Sequence, residues 1–119
     1  MAEHNDLGFL GEEIAREFLE DKGYLILAQN WKFHRKEIDL VALHNGFLII
    51  VEVKTRSSAV FGYPDDFIGI QKINFLAEAA CAYADKLDND DLEIRFDVIS
   101  VTFKNKVPAI YHQEGAFHP

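Results

Sequence analysis

Cysteine and long hydrophobic runs are both scarce in this sequence. The single cysteine, Cys81, cannot form a disulfide within the chain, and its alanine-rich setting, AEAACAYA, is typical of a small buried residue on a helix. No run approaches the roughly 18 apolar residues of a membrane span. The first residues, MAEHNDLG, lack the basic and apolar regions of a signal peptide. We therefore expect a cytoplasmic protein with no membrane segment.

Several motifs that carry chemistry are also missing. The five histidines do not have zinc-ligand spacing. There is no glycine-rich phosphate loop, and no Ser-His-Asp arrangement can be assigned. Zinc enzymes, P-loop nucleotide hydrolases and serine hydrolases are therefore disfavoured.

Positive charge is in short supply, with 12 Lys and Arg residues against 20 Asp and Glu residues and a net charge of −8. A chain with this balance is a poor candidate for coating nucleic acid by phosphate neutralisation. The segment WKFHRK at 31–36 nevertheless concentrates basic residues immediately before a predicted strand. The net charge argues against nucleic-acid binding, while this cluster leaves it open.

Apolar residues, in contrast, make up 49% of the 119 residues, enough to build the core of one domain spanning residues 1–119. Their periodicity predicts the element order α-β-β-β-α-β-β. A mixed five-stranded sheet flanked by helices, an α/β fold, is the natural architecture for this order. The predicted helices begin at Asn5 or Asp6 and end at Gly23, and run from 65 to 87; the predicted strands are 24–31, 37–43, 47–54, 93–103 and 107–112.

The second and third predicted strands form a hairpin that carries four charged residues. Asn45 and Gly46 are the signal for a two-residue turn. If they are the turn residues, His44 faces Phe47. The same register places Asp39 opposite Glu52 and Glu37 opposite Lys54, and strand alternation puts all four charged side chains on one face.

Two carboxylates that face each other on a central hairpin repel, and the repulsion grows where water is excluded. A divalent cation between Asp39 and Glu52 would relieve it, because Mg²⁺ takes a few carboxylates together with waters and phosphate oxygens. The alternative is an ordinary ion pair between Glu37 and Lys54, with the other two carboxylates at a solvated end of the sheet.

The pattern D-(x)n-E-x-K, formed by Asp39, Glu52 and Lys54, resembles the PD-(D/E)XK nuclease superfamily, with EID in place of the usual PD dipeptide. An ordered set of segments further resembles the YraN family, small bacterial endonuclease-like proteins related in pattern to Holliday junction resolvases. The set comprises GEEIAREFL (11–19), GYLILAQNW (23–31), EIDLVAL (37–43), VEVKTR (51–56), FGYP (61–64), Lys72 and RFDVISV (95–101). Lys36 stands where the family usually has glycine.

This resemblance implies a restriction-endonuclease-like core and a role for each matched residue. Asp39 and Glu52, with the Val53 carbonyl, would bind Mg²⁺ or Mn²⁺. Lys54 would orient or activate the attacking water. Glu12 would be the additional catalytic acid of resolvase-like enzymes; read without the family, it is a surface glutamate favourable to the helix dipole.

Nucleic-acid contacts are the least specific part of the interpretation. Trp31 and Phe33 interleave with the basic cluster and could stack on bases, although packing in the core is the simpler role. Resolvase-like relatives act in pairs, so a homodimer is an implied state. The residues assigned to phosphate contacts are Lys32, Arg35, Lys36, Arg56 and Lys72, with a solvated loop or a surface lysine as the alternative.

The sequence therefore predicts a metal-dependent nuclease that hydrolyses DNA phosphodiester bonds, branched or flapped structures included. The alternative function is a nucleic-acid-binding or partner-binding module whose metal site is vestigial or slow.

Overall fold

A computed structural model of the chain describes residues 2–57 and 68–119, with only the backbone path for residues 2–5. The predicted order of elements, α-β-β-β-α-β-β, is confirmed. The elements are α1 (Ala2–Asp21), β1 (Leu25–Phe33), β2 (Lys36–His44), β3 (Phe47–Arg56), α2 (Ile70–Leu87), β4 (Glu93–Lys104) and β5 (Val107–Phe117).

The five strands form one mixed sheet in the order β1-β2-β3-β4-β5. β3 and β4 are parallel, and every other neighbouring pair is antiparallel. A parallel pair needs a crossover connection, and α2 lies within that crossover. The predicted α/β class and mixed five-stranded sheet are therefore confirmed.

The sheet separates two apolar cores. On the α1 side, Ala15 and Leu19 pack with residues such as Leu40 and Val51. On the α2 side, the core contains the helix residues Leu76, Ala79, Ala80 and Tyr83 together with the strand residues Ile38, Val41 and Ile50. Small alanines let α2 lie close to the sheet, so both faces of the central strands are covered, as a strand with the run FLIIV requires.

A buried polar network joins β4 to β5. Asp97 is fully buried and accepts hydrogen bonds from Arg95 at 2.9 and 2.8 Å, from His112 Nε2 at 2.8 Å and from the Gly115 N–H at 3.0 Å. Burial acts to raise the pKa of Asp97, but these hydrogen bonds outweigh it and lower the pKa. All of these hydrogen-bond partners belong to β4 or β5, which is typical of a carboxylate with a structural role.

Several predicted boundaries are wrong. The first helix already begins at Ala2, so neither Asn5 nor Asp6 caps it. β1 continues to Phe33 and β2 begins at Lys36, so WKFHRK forms a tight hairpin in which His34 has a positive φ of 59°. β5 continues to Phe117 instead of ending at 112.

The second helix also differs from its prediction. It begins at Ile70, after the non-helical residues Ile68 and Gly69, while predicted positions 65–67 lie outside the described residues, as does most of the predicted loop 55–64. Cys81 is exposed and not buried, since the helix turns Ala79 and Ala80 toward the sheet instead. Within the described ranges, neither helix has the length and hydropathy needed to cross a membrane.

Candidate functional site

The candidate site lies where the ladder between β2 and β3 ends. The predicted register is confirmed from His44↔Phe47 to Leu40↔Val51, the last pair of the ladder. The pairs predicted beyond that point, Asp39 with Glu52 and Glu37 with Lys54, are not among the ladder pairs. Instead, Asp39 accepts a hydrogen bond through Oδ2 from the Val53 N–H at 2.8 Å. A carboxylate thus takes the place of a backbone partner.

The regular alternation of side chains also breaks at this point. Ile38 packs in the α2-side core and Leu40 in the α1-side core, although residues two apart in a regular strand share a face. In β1, Asn30 has a positive φ of 52°, and Trp31 packs on the α2 side. Because the alternation breaks here, the Asp39 side chain lies beside β3 and accepts the hydrogen bond from the Val53 N–H.

The Asp39 and Glu52 carboxyls are both withdrawn from water and influence each other. Glu52 is 7% exposed. Burial, and then the charge of Asp39, raises the pKa of Glu52 to about 7. The pKa of Asp39 is also raised by burial, against the lowering effects of the Val53 N–H, Lys72 and a hydrogen bond with Glu52. Without a cation between them, the two carboxyls are poorly suited to carrying two negative charges.

Glu52 has an acceptor atom that is only partly used. Among the described residues, its buried Oε1 has no hydrogen-bond partner. Nζ of Lys72 lies 3.5 Å from Oε1, a distance at which the contact is electrostatic and not a well-formed hydrogen bond. A buried oxygen in this state calls for an explanation, and room for a bound cation is one.

Two lysines from different elements supply positive charge here. Lys54 follows Glu52 by two residues on β3, and its charge lowers the pKa of Glu52. Lys72, which the sequence analysis assigned to phosphate contact, forms an ion pair with Glu52 from α2. The structure therefore brings together two carboxylates and two lysines, one more lysine than the motif itself contains.

Glu12 approaches the same place from the α1 side. Burial and then the charge of Asp39 raise the pKa of Glu12, while side-chain hydrogen bonds with Asn30 and Gln29 lower it. Its approach depends on Gly11, because a Cβ at that position would lie 2.1 Å from Oγ1 of Thr55. Glu12 lines a small cavity together with Val53 and Thr55 of β3, so the predicted acid lies near the strand that carries Glu52.

Gln29 and Asn30, the polar residues that hydrogen-bond Glu12, were not predicted from the sequence. Gln29 donates to Glu13 at 2.8 Å and accepts from Arg16 at 3.1 Å, which ties β1 to α1. Asn30 adds its amide to Glu12. The available signal was the polar pair Gln-Asn in the otherwise apolar strand LILAQNW.

A hard divalent ion fits this donor set. No three His, Cys, Asp or Glu side chains form a metal-holding group among residues 2–57 and 68–119, so a bound ion would need more than side chains. Asp39 and Glu52 offer two carboxylates, and the Val53 carbonyl and water could complete the shell of an ion such as Mg²⁺. The observation in favour of this fit is Oε1 of Glu52, for which the described part of the chain provides an ion pair with Lys72 but no hydrogen bond.

The other predicted phosphate-contact residues lie on the β1–β2 hairpin and at the end of β3. Lys32, Arg35 and Lys36 are exposed on the β1–β2 hairpin. Arg56 is half-buried at the end of β3, beside Thr102 of β4. Their role in phosphate contact stays a prediction.

Comparison with known proteins identifies a family that the chain matches. Residues 11–101 match the model of "Uncharacterised protein family UPF0102". A UPF0102 protein of Flavobacterium psychrophilum is 52% identical over 119 residues, covering 99% of this chain and 98% of the relative. A UPF0102 protein of Bacteroides thetaiotaomicron is 44% identical over 119 residues, covering 100% and 98%. The range 11–101 spans the site described above, from Glu12 to Lys72, and the chain belongs to the UPF0102 family.

Proposed function

We propose that this protein is a metal-dependent nuclease that hydrolyses phosphodiester bonds of DNA, with the site organisation of the PD-(D/E)XK superfamily. The observation that carries the proposal is the buried Glu52 beside Asp39 and two lysines, with an Oε1 that has no hydrogen-bond partner among the described residues. Two buried carboxylates with raised pKa values lower the free energy of unfolding when they are ionised. Proteins retain such a loss of stability at residues that serve a function.

Asp39 and Glu52, with the Val53 carbonyl, would hold Mg²⁺ or Mn²⁺. When bound, such an ion supplies positive charge that polarises the scissile phosphate and makes a neighbouring water more acidic. The cation is also needed to bring the scissile phosphate up to the two carboxylates, since they repel a phosphate when no cation is bound between them.

The lysines provide the charge that the carboxylates lack. Lys54, two residues from Glu52, would orient the attacking water and stabilise negative charge that develops on the phosphate. Lys72 contacts Glu52 only electrostatically at 3.5 Å. It can therefore turn from the carboxylate to a phosphate oxygen without breaking a good hydrogen bond.

Glu12 is suited to handling a proton at the edge of this site. Its pKa is raised by burial and by Asp39. A carboxyl of this kind exchanges protons closer to neutral pH than an ordinary glutamate. The amide groups of Gln29 and Asn30 keep it in position.

The test is a nuclease screen of the purified chain on linear, single-stranded, flapped and four-way DNA, with Mg²⁺ and with Mn²⁺. We expect cleavage of at least one substrate that requires the metal and falls at least 100-fold in Lys54→Ala. Glu93→Gln, at an exposed position opposite Phe47 and away from the Glu52 end of β3, is the control and should cleave normally. Cleavage that survives in Lys54→Ala would reject this assignment of the site.

Two observations favour a second function, a nucleic-acid-binding or partner-binding module with a slow or vestigial site. Lys72 already partly neutralises Glu52, and the net charge of −8 is unusual for a nuclease with a long duplex footprint. Metal binding without cleavage of any of the four substrates would support this module. A homodimer, which two coordinated nicks would require, is tested by the mass of the protein in solution.

A further inference from the structure

A groove lies beside the carboxylate site, between the β1–β2 turn and α2. Its volume is about 500 Å³. From the hairpin it is lined by Phe33, Arg35 and Lys36, and from the helix by Asn74 and Phe75. With Gln71 and Glu78, these α2 residues form pairs three or four positions apart (71 with 74 and 75, and 78 with 74 and 75), so they project from one face of the helix.

The groove combines aromatic rings with positive charge. The rings of Phe33 and Phe75 lie 6.1 Å apart at an angle of 43°. Two ammonium groups lie over the Phe75 ring, Lys36 at 5.7 Å and Lys72 at 5.8 Å from its centroid. The groove is therefore locally basic on a protein of net charge −8, with Glu78 its one acidic lining residue among those described.

We propose that this groove binds the unpaired bases of a single-stranded nucleic acid. Base stacking on aromatic side chains, with Lys or Arg following the backbone, is the general means of binding single strands. In a duplex, the faces of the bases are stacked on one another and cannot reach such rings. The combination of Phe33 and Phe75 with Arg35 and Lys36 thus fits a single strand better than a duplex.

Lys72 links the groove to the carboxylate site. The same ammonium group lies 3.5 Å from Oε1 of Glu52 and 5.8 Å from the Phe75 ring. A strand that lies in the groove therefore brings a phosphate next to Glu52. On the proposed nuclease function, this makes the substrate a phosphodiester bond beside unpaired bases, as found in flaps, branches and frayed ends.

The single tryptophan of the chain reports on the groove. Trp31 is nearly parallel to Phe33, with ring centroids 6.1 Å apart and an interplanar angle of 13°. We expect the oligonucleotide dT15 to quench Trp31 fluorescence saturably in EDTA, where no metal-dependent cleavage proceeds. Binding of a 15-base-pair duplex should be weaker.

Two variants separate stacking from charge. Phe75→Leu keeps an apolar side chain against the core but removes the ring, and should weaken dT15 binding by about 5- to 100-fold. Phe103→Leu, at a buried position on the α1 side, is the matched control and should bind normally. Lys36→Gln, at an exposed position, should reduce the slope of log K against log salt by about 0.7.

The inference is overturned if dT15 binds no better than the duplex, or if Phe75→Leu binds as tightly as the wild type. Because this binding is measured without metal, it is independent of the nuclease proposal. Binding that depends on Phe75, combined with no cleavage of any substrate, would reject only the nuclease. Cleavage with normal binding by Phe75→Leu would reject only the groove.

Discussion

Replacement of Glu52 by glutamine tests the energetic state of the carboxylate pair. The folded protein raises the pKa of Glu52 from 4.5 to about 7. At about 1.36 kcal/mol for each unit of pKa, this corresponds to roughly 3 kcal/mol of stability lost when the side chain is ionised. Glutamine has nearly the same shape and never ionises, so Glu52→Gln should recover this energy.

The sign of the effect depends on pH. A folded-state pKa above the unfolded value means that wild-type stability is full below pH 4.5 and is lost as the pH rises through about 7. The two proteins should therefore be similarly stable near pH 4.5. At pH 8, Glu52→Gln should be the more stable by up to roughly 3 kcal/mol, or about 10 °C in Tm for a chain of this size.

Urea and thermal unfolding in EDTA at pH 4.5 and pH 8 provide the measurement. Glu78→Gln, at an exposed position of α2, should change stability by less than about 0.5 kcal/mol at either pH. If Glu52→Gln is less stable than the wild type at pH 8, or if the difference does not vary with pH, then ionisation of Glu52 beside Asp39 does not destabilise the folded protein.

Three further perturbations have defined outcomes. Lys72→Met removes the ammonium group that competes with a metal ion for Glu52. Calorimetry at pH 8.5 should therefore show Mn²⁺ binding several-fold more tightly. Weaker binding would show that Lys72 supports the ion instead. Gly11→Ala forces a Cβ to within 2.1 Å of a side-chain oxygen of β3 and should cost about 1–3 kcal/mol in urea unfolding, whereas Gly8→Ala, with no atom within 4 Å of its Cβ, should be neutral or slightly stabilising. Asp97→Asn leaves Arg95 without its buried counter-charge and should lower the free energy of unfolding by about 3–5 kcal/mol at pH 7. This loss should shrink as the pH falls through the lowered pKa of Asp97. An unchanged free energy of unfolding at pH 7 would contradict the structural role of this pair.

Local signals in the sequence were sufficient for most of the fold. Asn45 and Gly46 have positive φ values of 50° and 83°, as the predicted turn requires, and they set the register as far as Leu40↔Val51. The continuous apolar run before Glu52 required cover on both faces, and the two helices provide it.

The details that shape the site could not be predicted in this way. The break in alternation at Asp39 depends on Asn30 adopting a positive φ inside a strand, and on a carboxylate replacing a backbone acceptor for Val53. Both depend on tertiary contacts, including those of Gln29 with α1, which no local propensity encodes. The ion pair between Lys72 and Glu52 likewise depends on where the crossover helix lies on the sheet.

Calorimetry of Mn²⁺ binding, in buffers of different ionisation enthalpy, tests most directly whether the two carboxylates form a cation site. At pH 6, where the pKa of about 7 leaves Glu52 largely protonated, we expect one ion to bind the wild type and to release about one proton. Glu52→Gln should bind at least 100-fold more weakly. Equal binding by Glu52→Gln, or no binding by the wild type at pH 8, would contradict a metal site at Asp39 and Glu52.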